Sequence, residues 1–185
     1  MPESTSAEPD TRPDQGLDRL NALSEEALRA ELAQCLDVER WVLAVAAAAP
    51  YADRAALLDT ADAHAREITA DEVASALARH PRIGEKARGR GTEAAWSRGE
   101  QSAFASETDD AAVRVQRIFQ YAQQEYEERF GQIYLVCASG RGPRDLLSDL
   151  VGRLGNDRDT ELAVVGGELR RIAALRLVKL LEAEG

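Results

Sequence analysis

The sequence predicts an all-α fold: a single-domain helical bundle of about seven or eight helices. Three observations carry that expectation. Helix-start signals recur at Ser24, Asp53 and Thr69. Apolar residues step by three and four along the two longest segments, about 109–130 and 159–183. One short run, 133–138, has the β-branched and aromatic character of a strand, and no second run of matching character exists to pair with it.

Taken in chain order, residues 1–16 hold three prolines, several acids and few large apolar groups. They cannot bury enough surface to offset their ordering entropy, so a disordered tail is expected there, followed by one domain over 17–185. From Leu17 the pattern turns helical. Ser24 is the N-cap, Glu25 and Glu26 favour the positive helix end, Leu23 and Leu28 form a staple, and the helix should run to about Leu36. A second helix, from Trp41 to about Ala49, is stopped by Pro50, and a third begins near Asp53 and carries Leu57, Leu58 and Ala61 on one side. Thr69 and Glu72 make a capping box for a fourth, which ends near Arg79 because Pro81 pushes His80 out of the helical region. The stretch 83–99 has four glycines and many charges and reads as a loop. A long helix follows, with Ala112, Val115, Phe119, Ala122 and Tyr126 on its core face. The run 133–138 is then a buried extended segment whose backbone groups need other partners. Two helices close the chain, one from Pro143 to about Leu154 and the other over 159–183. No internal repeat is evident.

A length of 185 residues, 44% hydrophobic and 30% charged, suits one globular domain. No apolar run approaches the ~20 residues of a membrane span, and neither end carries a secretory or peroxisomal signal, so the expected compartment is the cytoplasm. The net charge of −10 argues against general affinity for nucleic acid or anionic membranes, though not against a local basic pocket. Cys35 and Cys137 lack paired spacing, so no disulfide framework is expected. With only His64 and His80, neither having a second ligand at helical spacing, no metal site is expected.

Among the polar residues, Arg176 is the most informative. It falls among Val165, Leu169, Ile172 and Leu180 on the apolar face of the last helix. A guanidinium there either meets an anionic ligand, pairs with an internal carboxylate, or snorkels. On the first reading, Arg176→Met is neutral or stabilising for the fold if no internal carboxylate depends on the guanidinium. His80 suits acid or base work near neutral pH, and a structural role is the plain alternative. Ser97, Glu100 and Gln101 offer a hydroxyl, a carboxylate and an amide within one turn, and the same spacing also reads as a capping box opening a helix at Ser97. His64 lies in a charged, solvated stretch. Cys137 reads first as a small buried residue. Ser139-Gly140-Arg141-Gly142 lacks the lysine of a phosphate loop, and Lys86 lacks the apolar pocket of a Schiff-base lysine.

Together these pieces form a pattern that resembles the OHCU (2-oxo-4-hydroxy-4-carboxy-5-ureidoimidazoline) decarboxylase family from about Leu20 to Leu181. It rests on Leu20-Asn21-Ala22-Leu23, Ala78-Arg79-His80-Pro81-Arg82-Ile83-Gly84, Ser97-x-x-Glu100-Gln101, and Arg129-Phe130-Gly131 leading into Tyr134-Leu135-Val136-Cys137-Ala138-Ser139-Gly140-Arg141. Leu154-Gly155-Asn156 followed by Leu175-Arg176-Leu177 completes it. At Gln132-Ile133-Tyr134, relatives often carry a more aromatic, proline-containing stretch.

The resemblance implies an all-helical bundle that forms a homodimer, and an enzyme that converts OHCU to (S)-allantoin in urate breakdown. It implies His80 as the catalytic residue, with Glu100 beside it. For substrate binding it implies Pro81, the segment Ser97, Arg98, Gly99, Glu100 and Gln101, the wall Tyr134, Leu135, Val136, Cys137 and Ala138, and Arg176 as anchor. No cofactor is expected, because the substrate's own conjugated ring can accept the electron pair left when CO2 departs. The rival readings are a helical ligand-binding or adaptor domain that has lost turnover, and a partner-binding scaffold that would leave Arg176 at an exposed interface. An optical assay on fresh OHCU separates the enzyme from both.

Overall fold

The computed structural model describes residues 14–85, 91–106 and 109–183. Among the described residues there are ten helices and no strand. They are α1 (Gln15–Asn21), α2 (Glu25–Cys35), α3 (Glu39–Ala47), α4 (Arg54–Ala65), α5 (Ala70–Leu77), α6 (Thr92–Glu100), α7 (Ser102–Ser106), α8 (Asp110–Phe130), α9 (Pro143–Arg153) and α10 (Arg158–Glu182).

The expected helix starts lie where the sequence places them. Ser24, Asp53 and Thr69 accept hydrogen bonds from the backbone N–H three residues on, and the capping box of Thr69 and Glu72 is complete. Asp109 and Asp157 cap the two long helices in the same way, and Gly131 ends α8 at φ +71°.

Three helices were not expected as separate elements. The stretch 83–99 is not all loop: α6 begins at Thr92 and runs through Ala94, Ala95 and Trp96, good-to-fair helix formers. Three of its four glycines fall before α6, so glycine content counted over the whole stretch hid a helix in its second half. The five-residue α7 was too short to show a period and is held by the buried Phe104. The first helix begins two residues inside the expected tail, because Asp14 caps it through the Leu17 N–H and pairs with Arg54. Residues 1–13 of that tail lie outside the described residues.

α10 is the axis of the domain, with α1, α2, α4 and α5 packed along it. Their apolar faces, with that of α3, make one core, which includes Leu32, Trp41, Leu57, Val165 and Leu177. α8 and α9 pack on each other around a second core built on Phe119, Tyr126, Leu146 and Leu150. Residues 133–138 run between the two cores. Leu135 belongs to the first, with Cys137 packed against it, while Tyr134, Val136 and Ala138 belong to the second. That alternation is the period of an extended chain. It explains why the run has strand composition and needs no neighbouring strand: both faces are covered by helices.

α1 docks tightly on the end of α10. A β-carbon on Gly16 would sit 1.8 Å from the Leu181 carbonyl oxygen. Gly16→Ala is therefore expected to cost about 1–3 kcal/mol and lower the melting temperature by roughly 3–10 °C, read by thermal denaturation. An unchanged melting temperature would show that α1 does not pack this closely.

Candidate active site

His80 follows the last turn of α5. Its N–H donates to the Leu77 carbonyl at 3.0 Å, and its ring Nδ1 lies 2.9 Å from the Ala76 carbonyl oxygen. A carbonyl can only accept, so Nδ1 carries the proton and Nε2 of the neutral ring is left as an acceptor. Nε2 is buried and has no partner among the described residues. Burial, aided by the nearby Arg176 charge, lowers the ring's pKa below 6.5, against the opposing pull of the Ala76 bond and the Glu93 and Glu100 carboxylates. The ring is thus a neutral base with a free lone pair.

Facing it is the last turn of α6. Positions three apart share a helix face, so Ser97 and Glu100 point inward together and are buried. Arg98 and Gly99, turned away by the same periodicity, are exposed and do not line the cavity, contrary to the expectation from the resemblance. Ser97 lies inside α6 and is not its N-cap, which removes the capping-box account of the Ser97–Glu100 spacing.

Arg176 comes in from α10, 1% exposed. Its Nε and Nη2 donate to the two Glu100 oxygens, both at 3.1 Å, in a fork-to-fork pair. Nη2 also donates to Ser97 Oγ at 3.0 Å, and Nη1 to the Gln34 carbonyl at 3.4 Å, with Glu93 3.8 Å away. The guanidinium is buried with four of its five N–H groups hydrogen-bonded, which rules out an exposed scaffold interface at this residue. The condition on which Arg176→Met would leave the fold unharmed is not met, because an internal carboxylate, Glu100, is paired with this charge. Burial alone would raise the Glu100 carboxyl, but the Arg176 bonds and charge, joined by Lys179, hold it below its ordinary value of 4.5. Glu100 is a carboxylate at neutral pH.

These groups surround a cavity of about 330 Å³ of atom-free space, part of it open to solvent. His80, Pro81, Ser97, Glu100, Gln101 and Arg176 supply one side of the lining, and Tyr134, Leu135, Val136 and Ala138 the other, with Ile83 and Ile172. Cys137 does not line it. Its side chain faces the first core, burial pushes its thiol pKa up, and its N–H donates to Glu168 at 2.8 Å.

The wall is held from behind. Arg153 donates to the Leu135 carbonyl at 2.7 Å and is itself paired with the buried Glu161, which also accepts from Tyr126 and Asn156. In an extended chain, backbone groups two residues apart point the same way, so the ties at Leu135 and Cys137 both lie on one side. The N–H groups of Val136 and Ala138 point to the other side and have no partner among the described residues. They are donors open to a ligand. Gln101 has its orientation set too: its Oε1 accepts from Gly84 N–H at 3.0 Å, which turns its amide NH2 away as a further donor. Gly84 adopts φ +87°, a conformation that favours glycine.

Sequence reasoning missed Ile83, Ile172, Lys179, Glu93, Glu161 and Glu168. For Ile172 and Lys179 a signal was present, since they lie four residues before and three after Arg176 on the same helical face. For Glu161 and Glu168 spacing along the chain does not suffice: besides nearby Arg153 and Arg171, they accept from the Tyr126 hydroxyl and the Cys137 N–H, 35 and 31 positions away. Among the described residues no three His, Cys, Asp or Glu side chains gather into a metal-holding group.

The arrangement is a small cavity with apolar walls that holds a neutral base, a charge-paired carboxylate and backbone donors, suited to a compact anion rich in N–H and C=O groups. Comparison with known proteins gives the family. The family model for OHCU decarboxylase matches residues 21–178. The chain is 32% identical over 105 residues to the 2-oxo-4-hydroxy-4-carboxy-5-ureidoimidazoline decarboxylase of Amia calva, a match covering 56% of this chain and 58% of that protein. It is 38% identical over 55 residues to the uric acid degradation bifunctional protein TTL of Arabidopsis thaliana, covering 30% of this chain and 17% of that protein. The matches thus span less than two thirds of these relatives' length. A solved structure of an OHCU decarboxylase in the presence of (S)-allantoin shares the fold, with a TM-score of 0.65 at 22% identity, over 87% of this chain and 100% of that one. With most of its length matched by one family model, this chain belongs to the OHCU decarboxylase family.

Proposed function

We propose that this chain decarboxylates OHCU to (S)-allantoin, a step of urate degradation, without a cofactor. The observation that carries the reading is the unpartnered, buried Nε2 of a neutral His80 in the same cavity as the Glu100–Arg176 pair. When CO2 leaves, the electron pair of the broken carbon–carbon bond moves into the substrate ring to form a carbon–carbon double bond. The ring nitrogen takes up a proton. His80 Nε2 then removes the proton of the neighbouring hydroxyl, and a proton adds to the adjacent ring carbon from one face, giving the ring amide carbonyl of allantoin. Glu100 accepts hydrogen bonds from the hydroxyl or ureido group. Ser97, Gln101 and the Val136 and Ala138 N–H groups hold the amide-like edges. Pro81, Tyr134 and Leu135 shape the walls, and Arg176 draws in the carboxylate.

The test is circular dichroism on freshly made OHCU. Acceleration over spontaneous decay with one product enantiomer, unchanged by a chelator, supports the reading. No acceleration, or activity that EDTA abolishes and a metal restores, overturns it.

We also propose a cytoplasmic homodimer, as the family resemblance implies. On α8, Ile118 and Tyr121 lie one turn apart at 54% and 67% exposure, an apolar patch that a second copy could cover. Light scattering at the mass of a single chain would refute the dimer. Among the described residues no helix is long and apolar enough to cross a membrane, and recovery in the soluble fraction of its native cells tests the compartment.

A further inference from the structure

Arg176 has a problem as a substrate anchor. Its four hydrogen bonds, to Glu100 twice, to Ser97 and to the Gln34 carbonyl, use four of the five guanidinium N–H groups. A substrate carboxylate that is to take the fork must loosen Glu100. A buried carboxylate that loses its only cation is strongly destabilised, so Arg176 alone could not serve both anions.

The structure supplies a second cation. Lys179, one turn after Arg176 on α10, donates from Nζ to Glu100 Oε1 at 3.1 Å, the same oxygen and distance as Arg176 Nε. Its side chain is 28% exposed against 1% for Arg176, so it reaches Glu100 from the solvent side. The other polar and titratable groups near Glu100 are Ser97 and Glu93 of α6, His80 after α5, Gln34 and Cys35 of α2, and Cys137. None of these is a second cation. With Lys179 bonded to it as well, Glu100 keeps a cation when Arg176 loosens its hold, while Glu93, 3.8 Å from Arg176 Nη1, has Arg79 as a partner of its own.

We propose that Lys179 is a positioning residue: it keeps hold of the Glu100 carboxylate while Arg176 turns part of its fork from Glu100 to the carboxylate of the substrate. The proposal rests on the decarboxylase reading above. Lysine suits the task because its ammonium is a mobile point charge on a flexible stem and can follow Glu100 as it shifts.

The test compares Lys179→Met and Lys179→Arg with the parent protein, with folding checked by circular dichroism. Lys179→Met keeps the stem and removes the charge. Its KM for OHCU is expected to rise about tenfold with kcat within about twofold, because substrate must now compete against an unrelieved ion pair. Lys179→Arg is expected to recover most of that loss. A merely structural surface bridge would change the melting temperature without this split. In parallel, a carbon NMR titration of the Glu100 carboxyl is expected to move upward by about one pH unit in Lys179→Met, a tenfold change in proton affinity. An unchanged KM, an arginine variant no better than the methionine one, or an unmoved Glu100 titration each overturns the proposal. If the parent protein does not turn over OHCU, the decarboxylase reading fails separately, and the titration alone decides whether Lys179 governs Glu100.

Discussion

His80→Asn is expected to fold like the parent and to lose about 10²- to 10⁴-fold in kcat/KM, the range for removing a positioned general base. Asparagine is the informative choice. Its side-chain amide can keep the hydrogen bond to the Ala76 carbonyl that the histidine Nδ1 makes, and it removes only the basic lone pair in the cavity. The pH dependence adds a second check. Because burial and Arg176 lower the ring's pKa below 6.5, kcat/KM should be level between about pH 7 and 8 and fall only on the acid side of that value. Stability carries the matching sign. A histidine depressed in the folded state binds its proton more readily when unfolded, so stability drops as pH falls through the unfolded value near 6.5 and stops dropping below the folded value. His80→Asn lacks this component, so its melting temperature should fall less between pH 7 and 5. Near-parent activity in His80→Asn would remove the residue from the mechanism.

Arg176 is the second position where a large effect is expected, and here fold and function are joined. Arg176→Met should cost about 3–5 kcal/mol of stability, toward the lower end because Lys179 still holds Glu100. Arg176→Lys keeps the charge but loses the fork that serves Glu100, Ser97 and the Gln34 carbonyl at once. It should lose about 2–4 kcal/mol in transition-state stabilisation, or roughly 30- to 1000-fold in kcat/KM. The double variant Arg176→Met, Glu100→Leu separates the two roles. With both buried charges gone, stability should return to within about 1–2 kcal/mol of the parent while activity stays lost. If Arg176→Lys is fully active, or if the double variant is active, the pair is structural only.

Much of this candidate site is legible in the sequence. His80 was marked by the proline behind it, Ser97 and Glu100 by their three-residue spacing, and Arg176 by its place on an apolar face. The resemblance joined them into one site, and the cavity contains all four. Three residues that the resemblance implied stand off the cavity lining, for particular reasons. The resemblance implied Arg98 and Gly99 as part of the segment 97–101, and a helix turns them outward. Cys137 was included with its neighbours, yet in an extended chain every second residue faces the other core.

By itself, the sequence determined the local terms: where helices start through Ser24, Asp53, Thr69 and Asp109, where α8 ends at Gly131, that 133–138 is extended, and which side chains carry useful chemistry. Capping, periodicity and proline geometry act over a few residues, so a few residues suffice to read them. Only the tertiary structure decided what Arg176 does, because its partners Gln34, Ser97 and Glu100 lie 142, 79 and 76 positions away. The same holds for the tautomer of His80, and for the burial of Arg153 with Glu161 behind the wall. Charge pairing across a core depends on distance in space and on the low polarity of the interior, and neither quantity is written in the order of residues along the chain.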